Sequence, residues 1–106
     1  MKLNLRTRGI PMSQALRKHV EKRVRFALGR FGERVRAVHV QLTDVNGPRG
    51  GEDVECLVEA SLAPTGTVRI SETSLDPFRA VARASDRIGY RLRRHLDRAR
   101  TLRRRS

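Results

Sequence analysis

Val54-Glu55-Cys56-Leu57-Val58-Glu59-Ala60-Ser61-Leu62 is the stretch on which the fold turns. Val54, Cys56, Val58, Ala60 and Leu62 form one series, and Glu55, Glu59 and Ser61 stand between them. Side chains alternate across a strand, so this pattern reads as a strand from Asp53 with one buried and one wetted face. A sheet of such strands needs cover on a single side.

Working outward, Pro64-Thr65-Gly66 turns the chain into a short fourth strand carrying Val68 and Ile70. Upstream, Val35 to Val45 alternates with Val38, Val40 and Leu42 inward, and residues 46–51 read as a turn or flexible loop. Lys2 to Arg8 alternates too, with Leu3 and Leu5 on one side. Two helices complete the chain. Ser13 caps the first, in which Leu16, Val20, Val24, Ala27, Leu28 and Phe31 recur at three and four. Gly29 or Gly32 can end it in a left-handed conformation. Asp76-Pro77 starts the second, with Asp as cap and Pro at the first helical position. Its apolar face is Phe78, Val81, Ser85, Ile88, Leu92, Leu96 and Ala99.

The fold class is therefore α+β, in the order β-α-β-β-β-α. A four-stranded, mostly antiparallel sheet with both helices on one face buries every apolar stripe at once. The first strand and the helix after it form the one crossover. Leu3, Leu5, Leu16, Val20, Val24, Val40, Val58, Ile70, Val81, Ile88 and Leu92 are the expected core. Ala82, Ser85 and Gly89 lie together on the last helix. Gly89 either lets the helices approach closely or is simply tolerated, at about 1 kcal/mol relative to Ala.

Residues 1–106 make one domain, with a basic tail from about residue 100 expected to be disordered. There are 24 Lys and Arg against 11 Asp and Glu, a net charge of +13. The charge is segregated: two basic and six acidic residues lie between 37 and 75, and both flanks are strongly basic. Such a charge opposes compaction and points to a polyanionic partner. A single cysteine, Cys56, excludes an intrachain disulfide and fits a reducing compartment. No apolar run is long enough to span a bilayer, and the start lacks a signal peptide. The expectation is a soluble cytoplasmic protein with no membrane partner.

On a helical wheel Arg79, Arg83, Arg87, Arg91, Arg94 and Arg98 centre opposite the apolar face of the last helix, with Tyr90 among them. An ordinary solvated face mixes signs, because each like-charge i,i+4 pair costs about 0.2–0.5 kcal/mol. This face stacks four such pairs, a repulsion that a bound polyanion would relieve. On the first helix Lys18, Lys22 and Arg25 fall opposite the core, flanked by Arg17, Arg23 and Arg30. With both helices on one side of the sheet, the stripes should form one positive surface with a seam between the helices. Phe26 falls off the core stripe and is expected to pack on the neighbouring helix. Arginine dominates, and its planar fork binds phosphates bidentately and stacks on bases, which favours folded RNA over an anionic membrane.

No aromatic lies on a strand, so there is no stacking platform of the RRM or OB type. The GXXG pattern of residues 47–50 lies between strands, not helices, and reads as a hairpin loop rather than a KH element. One cysteine cannot supply a zinc set. His19, His39 and His95 are scattered, and Cys56 points inward as a core filler. No catalytic constellation, small-molecule substrate or cofactor is suggested.

The start Met1-Lys2-Leu3-Asn4-Leu5, the helix Ser13-Gln14-Ala15-Leu16-Arg17-Lys18-His19-Val20 and the strand Val38-His39-Val40-Gln41-Leu42 resemble the ribosome hibernation-promoting factor and protein Y (sigma-54 modulation protein) family. So do Asp76-Pro77-Phe78-Arg79-Ala80-Val81, Asp86-Arg87-Ile88 and Leu92, in the same order over nearly the whole chain. The resemblance implies a fold like a double-stranded-RNA-binding domain with an added strand. It implies binding to small-subunit rRNA in the decoding channel, blocking translation and protecting idle ribosomes under stress. Family basic positions carry over to Lys22, Arg83, Arg87, Arg91 and Arg94. No dimerisation domain follows, so the chain resembles the short form, expected to be monomeric when free. Ala82 stands where the family usually has an acid, and Tyr90 where a basic residue is common.

The sequence-level reading is thus a ribosome-associated translation inhibitor. Its proposed RNA-binding residues are Lys18, Lys22, Arg25, Arg79, Arg83, Arg87, Tyr90, Arg91, Arg94 and Arg98. The alternatives are a general RNA- or nucleoid-binding protein on the same fold and, from another class, an RNA-processing enzyme.

Overall fold

β1 (Lys2–Arg8) leads into α1 (Gln14–Leu28), a 3₁₀ helix (Gly29–Arg34), β2 (Val35–Asp44), β3 (Val54–Leu62), β4 (Thr67–Ser74) and α2 (Pro77–Arg105). This computed structural model describes residues 1–45 and 54–105, the side chains of Thr101 and of 103–105 excepted. The expected loop at 46–51, its GXXG pattern and the placing of Asp53 in the third strand lie outside the described residues. The order is the one the sequence implies.

The sheet runs β1-β2-β3-β4, with β1 parallel to β2 and the other neighbours antiparallel. The parallel pair needs a crossover, and α1 supplies it. Burial in β3 alternates without a break, with Val54, Cys56, Val58, Ala60 and Leu62 inside. In β2, Val35 and Val38 both point inward although they are three positions apart, an odd number. A register shift between Val35 and Ala37 absorbs the odd residue.

Ser13 caps α1 as its residue type suggests, accepting a hydrogen bond from Leu16 N at 3.1 Å. Of the two glycines that could turn the chain afterwards, Gly29 stays right-handed at φ −58°. Gly32 takes φ +58°, a conformation costly for a residue with a Cβ.

Leu16, Val20, Val24, Val40, Val58, Ile70, Val81, Ile88 and Leu92 are buried, as expected. Leu3 and Leu5 are only partly buried, because β1 is an edge strand. Ala80 and Ala84 are fully buried, and the sequence reading left them out.

Two aromatic placements are corrected. Phe78 is 40% exposed rather than in the core. Eleven residues before Gly89, it shares that residue's side of the wheel, toward α1. Its ring stands 5.0 Å from that of His19. Phe26 does not pack on α2; it is 82% exposed. Its neighbour Ala27 takes the α2-facing position, and one residue turns the next side chain by about 100°. α2 runs on to Arg105.

Candidate nucleic-acid interface

α2 is 29 residues, about 43 Å at 1.5 Å per residue, in a molecule 54 Å long. Its first turn is held by Asp76, whose Oδ1 accepts from Arg79 N at 2.9 Å and whose Oδ2 lies 3.7 Å from Arg79 Nε. From there the helix runs antiparallel to β4. Arg83 Nη1 donates to Thr73 O at 3.1 Å. One turn on, Arg87 Nη1 donates to Glu72 Oε1 at 2.7 Å and reaches Ser71 O at 3.5 Å. Four helix residues rise about 6 Å, close to two residues of strand. The next steps therefore bring Tyr90 and Arg91 beside Arg69, and Arg94 and Arg98 beside Thr67.

At those positions helix and strand enclose an open groove of about 440 Å³. Arg69, Arg87, Tyr90, Arg91, Arg94, His95 and Arg98 line it, and none of its lining residues is acidic. Tyr90 is 64% exposed, with the Arg94 guanidinium 5.9 Å from its ring centroid. Arg69 and His95 were absent from the sequence-level site. Arg69 belongs to the outward series of β4, and its Nε lies 3.9 Å from Glu59 Oε2.

The groove is not where the sequence reading placed it. Between the helices the seam is closed. Arg23 Nη2 pairs with Asp86 Oδ1 at 3.1 Å, His19 Nε2 donates to Phe78 O at 3.0 Å, and Gly89 packs on Ala27. The half-buried Arg23 thus ties α1 to α2 rather than flanking a binding face. Lys18, Lys22 and Arg25 are exposed on α1, on the far side of that seam from the groove. Of the expected site residues, Arg87, Tyr90, Arg91, Arg94 and Arg98 come together in the groove. Arg83 lies along β4, and Arg79 is engaged by Asp76 at the helix start.

Burial, with the Glu55 charge adding to it, pushes the Cys56 thiol up to about 12, so it stays protonated and fills core space. Among the described residues no cluster of three His, Cys, Asp or Glu could hold a metal ion. Among them, too, no helix is long and apolar enough to cross a membrane.

Residues 3–100 match the model of the sigma 54 modulation protein / S30EA ribosomal protein family. The chain belongs to this family. The family fold is seen in the Protein Y N-terminal domain of Thermus thermophilus, at TM-score 0.73 and 25% identity, over 90% of this chain and 99% of that one. A ribosomal subunit interface protein from Coxiella burnetii superposes at TM-score 0.73, over 92% of this chain and 99% of that one. At 18% identity that likeness speaks to the fold alone. No curated protein sequence matches the chain.

Proposed function

We propose that this S30EA-family chain is a ribosome-associated translation inhibitor that binds small-subunit rRNA in the decoding channel. The observation that carries the reading is the arginine-rich, Tyr-bearing groove of α2 and β4, which no acidic residue lines and which is continuous with the arginine crest of the helix. Guanidinium groups on a rigid helix bind phosphate oxygens bidentately and release counterions, so affinity comes largely from the RNA backbone. Family membership and the likeness to Protein Y direct that chemistry to the ribosome. Lys18, Lys22 and Arg25 on α1 supply a second, separate line of phosphate contacts, and Arg79 and Arg83 extend the first. The protein acts by occupancy rather than catalysis, in the cytoplasm, as a monomer when free and without a cofactor, and it protects idle ribosomes under stress.

Pelleting with isolated small subunits through a sucrose cushion tests this. The protein should co-sediment and resist competition by an equal mass of naked structured RNA. Ready displacement by that RNA would instead favour a general RNA-binding protein, and turnover of the RNA an enzyme.

A further inference from the structure

We infer that the α2–β4 groove holds one unpaired nucleotide of a single-stranded RNA segment, its base stacked on the Tyr90 ring. The inference rests on the RNA-binding reading and narrows it from RNA in general to an unpaired base at a stated place. Three observations converge on the groove. First, Tyr90 presents a largely exposed ring inside an otherwise cationic surface, with Arg94 against it. Aromatic rings and arginine planes both stack on bases, and a base within a duplex offers no free face to them. Second, the groove, at about 440 Å³, has the scale of a small-molecule cleft, far below that of an RNA helix.

Third, the strand edge is open there. β4 is an edge strand whose Thr73 and Ser71 carbonyls point out to Arg83 and Arg87. Both peptide groups of every second residue in such a strand face the same way, so the Arg69 N–H and C=O face this edge as well. Thr67, Val68 and Arg69 line the open groove at this point of the edge. One donor and one acceptor side by side can pair with the polar edge of a base. Arg91 and Arg98 stand ready for the phosphates that flank it. The crest continues past the groove toward Arg83 and Arg79, so the occupant is part of a strand rather than a free mononucleotide.

Tyr90 is the chain's one tyrosine and there is no tryptophan, so tyrosine emission reports this ring alone. The full-length protein is titrated with a five-nucleotide oligouridylate, a twelve-base-pair RNA duplex and uridine 5′-monophosphate, at equal nucleotide concentration. The single strand should quench emission at least about twofold at saturation, and the other two should quench far less. Tyr90→Leu should weaken oligouridylate binding about tenfold, measured by anisotropy of a labelled strand, and Tyr90→Phe should restore it to within about twofold. Quenching by duplex or mononucleotide as strong as by the single strand would overturn the inference, as would a Tyr90→Leu protein that binds the strand like wild type. Subunit pelleting in parallel separates the two readings. Wild type that pellets with no change in emission sinks the stacking alone. Quenching by the strand with no pelleting sustains the groove and sinks the ribosome.

Discussion

Gly89 of α2 rests directly on Ala27 of α1: a Cβ added to Gly89 would stand 3.2 Å from the Ala27 carbonyl oxygen and 3.4 Å from its Cβ. The obstacle is backbone, which cannot swing away as a side-chain tip can. Of the two sequence-level accounts of this glycine, close approach is the one the geometry supports. Gly89→Ala ought to gain about 1 kcal/mol of helix propensity. Pushing the helices apart should cancel that gain, and Gly89→Val should lower stability by about 1–3 kcal/mol. Thermal melting decides, and a raised Tm for Gly89→Ala would show that the helices part freely.

Arg87 and Arg91 are one turn apart and should behave differently. Arg87 is paired with Glu72, so Arg87→Glu sets two carboxylates against each other and should cost about 1 kcal/mol or less, given its exposure. The double change Arg91→Glu, Arg94→Glu exchanges one set of helix-surface pairs for another and should leave Tm nearly unchanged. Binding to small subunits should nevertheless fall at least ~100-fold, from ~1.5–3 kcal/mol per lost charged contact. Translation in a cell-free assay should be relieved. Glu55→Gln, on the open face of the sheet, is the control. A well-folded double mutant that still inhibits would show the crest to be merely solvated.

Affinity should fall steeply with salt. If the helix faces neutralise about six phosphates, the log–log slope lies between about −4 and −5. Affinity for small subunits measured from low to moderate salt checks this, and a flat response would remove the arginines from the interface.

The Cys56 thiol links stability to alkaline pH. Its pKa rises from 9.0 to about 12 on folding, because burial opposes the thiolate. The unfolded chain then releases this proton while the native state keeps it, so stability is full below pH 9.0 and is lost between there and about 12. The slope from this one group is ~1.4 kcal/mol per pH unit. Denaturant titrations of wild type and Cys56→Ala across that window should show the slope reduced in the variant; parallel curves would contradict the linkage.

The alternation of β3 and β4 and the three-and-four spacing of α1 are statements about each residue's immediate neighbours, and they could be read directly. What escaped reading depends on distant chain or on single steps of rotation. The bulge at Val35/Ala37 shifts the phase of a strand by one residue. Phe26 sits one wheel step from the α2-facing Ala27, and Phe78 lies in the first turn of α2, where periodicity resolves little. Arg23 and Asp86 are 63 residues apart, and nothing local in either announces that they close the helix seam. The arginine crest was legible because it is one helix face. Which flank of that helix opens into a groove was not, since it depends on where β4 ends up.

The arginines along β4 also bear on how the free protein behaves in a crowded solution. An uncovered edge strand is a template on which a second chain can add, the first step of sheet-to-sheet aggregation. Arg83 and Arg87 occupy the Thr73 and Ser71 carbonyls of that edge, so an incoming strand would have to strip two guanidinium groups before forming its own hydrogen bonds there. The same helix face that is shaped for a polyanion thereby discourages its own kind from docking, and a protein kept waiting for its target stays dispersed at this edge.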